Sequence, residues 1–307
     1  MRKRSMNNNI PFDIDFSFKS PQRILRKAKT YAKKSLGQHF LNQPNIARSI
    51  IEKSCISNVD TIIEIGPGLG ALTFPLAKHS KHVYGVDLDQ KLLNLLAEEL
   101  KTKHIQNVSL IHGDILYLPF DSILSQHEKK YKVMGNLPYH ISSQILVKLV
   151  KERKNIDKAV VMLQKEMAER IQSPPGSKAY GRLSVMVQYC ASVKPLITIK
   201  GSDFFPRVNV DSQVIQLCFH QKIENQACDE NFLFQTIKAA FGKRRKTLKN
   251  ALSRSDFHFN ADTIIEALNK IDIDPQRRAE TLSVKDFVCL SNILKRAHSQ
   301  KVGNLFS

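Results

Sequence analysis

The sequence predicts an α/β protein, a doubly wound and mostly parallel sheet domain followed by a smaller all-helical domain. Two observations predict it. From Asn58 onward, short apolar runs alternate with stretches whose leucines recur at helical spacing. After His220 that alternation stops and only helical patterns remain. The chain therefore divides into a basic N-terminal extension over 1–32, expected to be flexible, a sheet domain over 33–222 and a helical domain over 223–307.

The elements follow in order. Residues 1–34 carry ten Lys or Arg against Asp13 and Asp15, the composition of an arm that stays disordered until it meets nucleic acid. Within it "RILRKAKTYAKK", Arg23 to Lys34, is expected to become a basic helix on binding; an organelle transit peptide is the other reading of such a start. "TIIEIG" is a buried strand stopped by glycine, "ALTFPLAKHS" a helix, "HVYGVDLD" a second strand and "QKLLNLLAEELKTK" the next helix. "VSLIHGDIL" gives a third strand and "YKVMGNLPY" a fourth, and "ISSQILVKLVKER" opens a helix on serines suited to its cap. "KAVVMLQKEMAERI" begins as a strand and becomes a helix, and "PLITIKGSDFFP" and "SQVIQLCFH" close the sheet. In the last domain "FQTIKAAFGKRRKTLKNAL" is expected to form one amphipathic helix. At about 100° per residue, Ile237, Phe241, Leu248 and Leu252 fall in one arc. Lys243, Lys246 and Lys249 fall opposite it, flanked by Arg244 and Arg245, and form a candidate RNA-docking face.

Composition narrows the partners. A chain of 307 residues that is 42% hydrophobic can bury a sizeable core, and its formal charge of +19 calls for a polyanion, nucleic acid before an anionic membrane. No apolar run approaches the roughly 18–20 residues of a membrane span, and no apolar stretch follows the basic start as a secretory signal requires. Five scattered cysteines without a CxxC pair or a metal-ligand spacing read as thiols in a reducing compartment, the cytoplasm.

The chemistry-bearing residues sit at strand ends. "EIGPGLG" places Gly66, Gly68 and Gly70 after a strand, where glycine lets backbone approach a ligand and the next helix offers free N–H groups. The spacing is G-x-G-x-G, with Ala71 where a dinucleotide fold has its third glycine, so the turn alone is weak evidence. Asp87 ends the next strand, where a carboxylate accepts ribose hydroxyls, and Asp114 in "HGDIL" ends the third, placed for an adenine amine. Each acid alone could be a helix cap, but in series they describe a nucleoside site. "GNLPY" lies at the fourth strand end. An exocyclic base amine is a poor nucleophile because its lone pair is delocalised into the ring. Two acceptors, the Asn136 side-chain oxygen and the Leu137 carbonyl, would draw on its N–H bonds and favour a pyramidal nitrogen aimed at an electrophilic methyl group. Pro138 fixes the carbonyl direction, and Tyr139 offers a face to a flipped base. That order of groups suits amino methylation of a base and not hydride transfer.

With these residues in place, the phrases "KKSLGQHFL", "EIGPGLGALT", "GNLPYHIS", "MLQKEMAERI", "SKAYGRLSVMVQY", "FGKRRKTLKNAL" and "DPQRRAETLSV" resemble the bacterial small-subunit ribosomal RNA adenine dimethyltransferases, whose loss gives kasugamycin resistance. The resemblance implies a Rossmann-like class I methyltransferase domain with a small helical domain. It implies S-adenosylmethionine as cofactor, a monomeric enzyme, and N6,N6-dimethylation of two adjacent adenosines near the 3′ end of small-subunit rRNA. Carried over, His39 and Leu41 match cofactor contacts from the N-terminal side, Gly66 the glycine turn, Asp87 the ribose acid, Asp114 the adenine contact and Asn136 the amine-binding amide. His39 departs from the family's asparagine and is expected to make a backbone or edge contact. In "FFPRVNVDS" the family has further prolines and a lysine where Arg207, Val208 and Asn209 stand, while Phe204 and Pro206 keep a ring near the target base.

Four rivals are weaker. A large-subunit rRNA dimethyltransferase shares the turn, but "SKAYGRLSV" and "RRAETLSV" count against it. A non-catalytic assembly or transcription factor on the same fold would not need Gly66, Asp87, Asp114 and Asn136 intact. A small-molecule methyltransferase leaves the charge unexplained, and a cytosine C5 enzyme would need a cysteine where "NLPY" has none.

Overall fold

The computed structural model describes residues 20–124, 130–243, 245–255, 257 and 259–303. Residues 1–19 of the expected extension, and Arg244 of the basic run, lie outside the described residues.

The first described element is α1 (Pro21–Lys27), which opens on Ser20, whose Oγ accepts the Arg23 N–H, and on a proline in its first turn. This corrects the reading of residues 20–32 as a flexible arm. The helix covers 21–27 and not 23–34, and Leu25 is buried with Phe40 and Leu92. There follow β1 (Phe40–Leu41), α2 (Pro44–Ser54), β2 (Thr61–Ile65), α3 (Thr73–His79), β3 (His82–Asp87) and α4 (Gln90–Thr102). Next come β4 (Val108–His112), α5 (Phe120–Ile123), β5 (Tyr131–Asn136), α6 (Ser142–Lys151), β6 (Ile156–Gln164) and α7 (Lys165–Gln172). Then come α8 (Arg182–Cys190), β7 (Ala191–Ile199), β8 (Phe204–Phe205) and β9 (Ser212–Phe219).

Seven strands form one sheet in the order β4-β3-β2-β5-β6-β9-β7, with the pairs from β4 to β6 parallel. Every residue of β2 is buried, as expected of a central strand covered on both faces. The order reverses between β2 and β5, the switch point at which doubly wound sheets bind ligands beyond the carboxyl ends of their strands. A separate two-stranded pair, β1 with β8, sets Leu41 opposite Phe204 and Phe40 opposite Phe205.

The chain divides into two compact units that follow packing and not element order. Among the described residues, one holds those up to 142 with 155–163 and 196–216; the other holds 143–154, 164–195 and those from 217 on. The sequence reading drew one line at residue 222, whereas α7 and α8 group with the C-terminal helices because α8 packs on α9 (Glu230–Phe241). The first unit's core joins Ile50, Ile62, Leu76, Met134 and Phe204.

The second unit also holds α10 (Leu248–Leu252), α11 (Ala261–Asn269) and α12 (Val284–Gly303). Here the expectation of one continuous helix is corrected. Gly242 caps the end of α9, and Thr247 caps a new helix by accepting the Asn250 N–H. Ile237, Leu248 and Leu252 are fully buried but belong to two helices. Lys243, Arg245 and Lys246 stand exposed in the turn, and Lys249 is half-buried on α10. Among the described residues, no helix is long and apolar enough to cross a membrane.

Candidate active site

Four neighbouring strands end at one cavity of about 560 Å³ in the first unit. His39, Leu41, Gly66, Asp87, Asp114 and Asn136 all line it, so the six residues assigned to the cofactor are brought together. The volume lies within the roughly 300–1,000 Å³ typical of small-molecule sites.

The glycine turn shapes the floor. Gly68 holds a left-handed φ of 55° and donates its N–H to Asp87 Oδ2 at 3.2 Å. Gly70, at φ 88°, has Phe74 so near that a Cβ would lie 2.6 Å from its ring. A side chain at either position would be strained, and at Gly70 it would also collide. Asp87 Oδ1 accepts the Asp89 N–H at 2.9 Å. Burial raises the Asp87 carboxyl above its ordinary range, against the pull of these N–H groups. Each carboxylate oxygen keeps a further lone pair, which a ribose hydroxyl could use. Asp114 Oδ1 accepts the Leu116 N–H at 2.9 Å, so this acid does cap a turn, with its second oxygen available. Leu88, 50% exposed, and buried Ile115 also line the cavity and offer apolar surface to a planar base.

At the end of β5, Asn136 Nδ2 donates to the His39 carbonyl at 2.8 Å, which fixes the amide's orientation. Among the described residues no donor reaches Asn136 Oδ1 or the Leu137 carbonyl oxygen. The Leu137 N–H is held by Met162 at 3.1 Å. Pro138 lines the cavity, whereas Leu137 and Tyr139 stand beside it. The Tyr139 hydroxyl is bonded to Ser212 Oγ at 2.7 Å, and burial raises its pKa. His39 stacks on the Tyr139 ring at 5.9 Å and its Nδ1 lies 3.1 Å from the Pro206 carbonyl. His39 thus makes a backbone bond and a ring contact.

Phe204 is a correction. It is 1% exposed and packed in the core, because its β1 partner Leu41 turns the same way as Phe204, toward that core. It offers no face to a substrate. Phe205 is half-buried beside Phe40. The candidate RNA-docking residues Lys243, Arg245, Lys246 and Lys249 belong to the second unit.

Sequence reasoning gave no role to several residues that meet here. Glu64 is 1% exposed on the cavity wall, and its Oε2 has no partner among the described residues. Burial, with the Asp87 charge, pushes its carboxyl up to about 8. A carboxylate inside the run "TIIEIG" was the available signal. Gln38 and Lys33 were unreadable in advance, since both reach Asp89, at 2.8 and 2.9 Å, from far along the chain. Pro21 and Ile24 of α1 line the cavity as well.

The chain is similar to known proteins over most of its length. The family model for ribosomal RNA adenine dimethylase matches residues 29–296. The ribosomal RNA small subunit methyltransferase A of Desulforapulum autotrophicum is 46% identical over 92% of this chain and 98% of its own. That of Bacillus cytotoxicus is 42% identical over 88% and 94%. Among solved structures, a dimethyladenosine transferase from Plasmodium falciparum is 25% identical with a TM-score of 0.71, over 82% of this chain and 95% of that one. The 23S rRNA methyltransferase ErmE, 19% identical with a TM-score of 0.62 over 83% and 99%, shares the fold.

Proposed function

The chain belongs to the ribosomal RNA adenine dimethylase family, and from that premise we propose that it methylates the N6 amines of two adjacent adenosines in the 3′-terminal hairpin of small-subunit rRNA. It is an rRNA adenine dimethyltransferase whose methyl donor is S-adenosylmethionine. The residues fit that donor: a glycine cradle, two carboxylates with open lone pairs and apolar flanks surround a cavity of suitable size. Asp87 would hold the ribose, Asp114 the adenine amine, and Gly66, His39 and Leu41 the surrounding walls.

One observation carries the reaction type. Among the described residues, Asn136 Oδ1 and the carbonyl of the next residue, Leu137, accept no hydrogen bond, and Asn136 lines the cavity. The chemistry supplied by bound S-adenosylmethionine is an electrophilic methyl group. Asn136 and Leu137 accept the two N–H bonds of the target amine and so localise its lone pair on nitrogen. The Tyr139 ring would stack on the base. The proton lost from the methylated amine passes to water, so no strong base is needed. The helical residues 223–307, with Lys243, Arg244, Arg245, Lys246 and Lys249, supply the rRNA contact. The enzyme acts as a monomer on the small-subunit precursor in the cytoplasm.

The test presents purified small and large ribosomal subunits lacking the modification, with labelled cofactor. Label is expected in small-subunit rRNA alone. Equal label in the large-subunit rRNA would overturn the proposal.

A further inference from the structure

Helix α1 lies before residue 29, where the family match begins. At about 100° per residue, Pro21, Ile24, Leu25 and Ala28 share one arc, and Arg23, Arg26 and Lys27 lie on the other side. The structure uses the two sides differently. Leu25 is 3% exposed among Phe40 and Leu92, while Pro21 and Ile24 face the cavity. Arg23, Arg26, Lys27 and Lys29 are exposed, and none has an acidic partner among the described residues.

The segment leaving α1 is tied to both halves of the site. Lys33 Nζ and Gln38 Nε2 meet Asp89 Oδ2 at 2.9 and 2.8 Å, and the Asp89 N–H bonds to Asp87. The His39 carbonyl then accepts from Asn136. Burial would raise the Asp89 carboxyl, but Lys33 and Gln38 win and hold it below its ordinary value.

We propose that α1 is a wall of the cofactor cavity whose outer basic face binds rRNA, so that RNA engagement and cofactor retention reinforce each other. This rests on the proposed function, since the polyanion is taken to be the rRNA substrate. An exposed cation row with no acidic partner among the described residues suits an anion, and rRNA is the polyanion this family acts on. Any RNA contact that steadies α1 steadies a wall of the cavity, and by linkage bound cofactor favours RNA equally.

Two variants of the full chain test it, each with its folding followed by thermal melting. Ile24→Ala should weaken binding of S-adenosylmethionine roughly three- to tenfold, because it removes apolar wall surface. The triple variant Arg23→Ala, Arg26→Ala, Lys27→Ala should bind free cofactor as the native chain does. It should lower the salt slope of RNA binding by roughly 2–3 units, at about 0.7–0.9 per phosphate contact. It should also lose the tightening of cofactor that RNA produces in the native chain. An Ile24→Ala protein with native cofactor affinity overturns the wall, and a triple variant with the native salt slope overturns the RNA face. If the native chain transfers no methyl group to rRNA, the proposed function fails, while the Ile24→Ala titration still decides whether α1 walls the cavity.

Discussion

Asn136 is held by one end of its amide and open at the other, and that asymmetry is the site's most specific feature. On the proposed mechanism, replacing it with alanine removes an acceptor used most strongly in the transition state. We expect Asn136→Ala to lower kcat by about 10²–10³ while cofactor affinity changes far less. Single-turnover kinetics beside calorimetry would show the split, and near-native turnover would remove Asn136 from the chemistry. Asp87 differs, since its two oxygens already order the glycine turn and the Asp89 loop. Asp87→Ala should weaken S-adenosylmethionine by about 1.5–3 kcal/mol for each charge-assisted bond lost, as read by calorimetry, with RNA affinity kept. Glu64 governs pH. Its carboxyl moves from an ordinary 4.5 to about 8, so between those values the folded chain holds a proton that the unfolded chain has released. Its stabilising contribution is complete below about pH 4.5 and is lost as pH rises through about 8. Melting temperatures of the cofactor-free protein from pH 5 to 9 should fall less steeply in Glu64→Gln than in the native chain. Parallel curves would show that Glu64 is ionised throughout. Strand-end carboxylates were readable from position, because a strand run followed by glycine or acid marks the ligand end of a sheet. Phe204 was misread because alternation along β8 decides which of two adjacent phenylalanines turns inward, and "FFP" does not say.

At the scale of elements, the basic turn between α9 and α10 shows how a local breaker overrides a periodic pattern. Gly242 costs about 1 kcal/mol inside a helix, and Thr247 offers a cap only a few residues later, so the chain stops and restarts. The cations thus project from a turn and not along a continuous face. Replacing Lys243, Arg245 and Lys246 with alanine should reduce the salt slope of RNA binding by roughly 2–3 units and leave melting temperature and cofactor affinity unchanged. A native slope would make the turn a solvated charge run. Helix α1 was misplaced for the opposite reason. Seven residues make a marginal helix alone, and its stability comes from Leu25 meeting Phe40 and Leu92, partners no local pattern reveals.

Over the whole molecule, the alternating runs made the sheet legible, since buried parallel strands must be continuously apolar and their crossovers helical. The division into units was less so. Alternation along the chain shows which elements form, and α8 joins the C-terminal helices through packing on α9, which only the fold brings about. The +19 charge is a property at this scale too, and it fits a substrate made of phosphates. The central claim, that this cavity and the Asn136 acceptors dimethylate adenine near the 3′ end of small-subunit rRNA, is tested most directly by mass spectrometry. Unmodified small-subunit rRNA within its subunit is incubated with the protein and labelled S-adenosylmethionine, then digested and mapped. We predict two adjacent N6,N6-dimethyladenosines in the 3′-terminal fragment; label on another base, or in another fragment, would contradict the account.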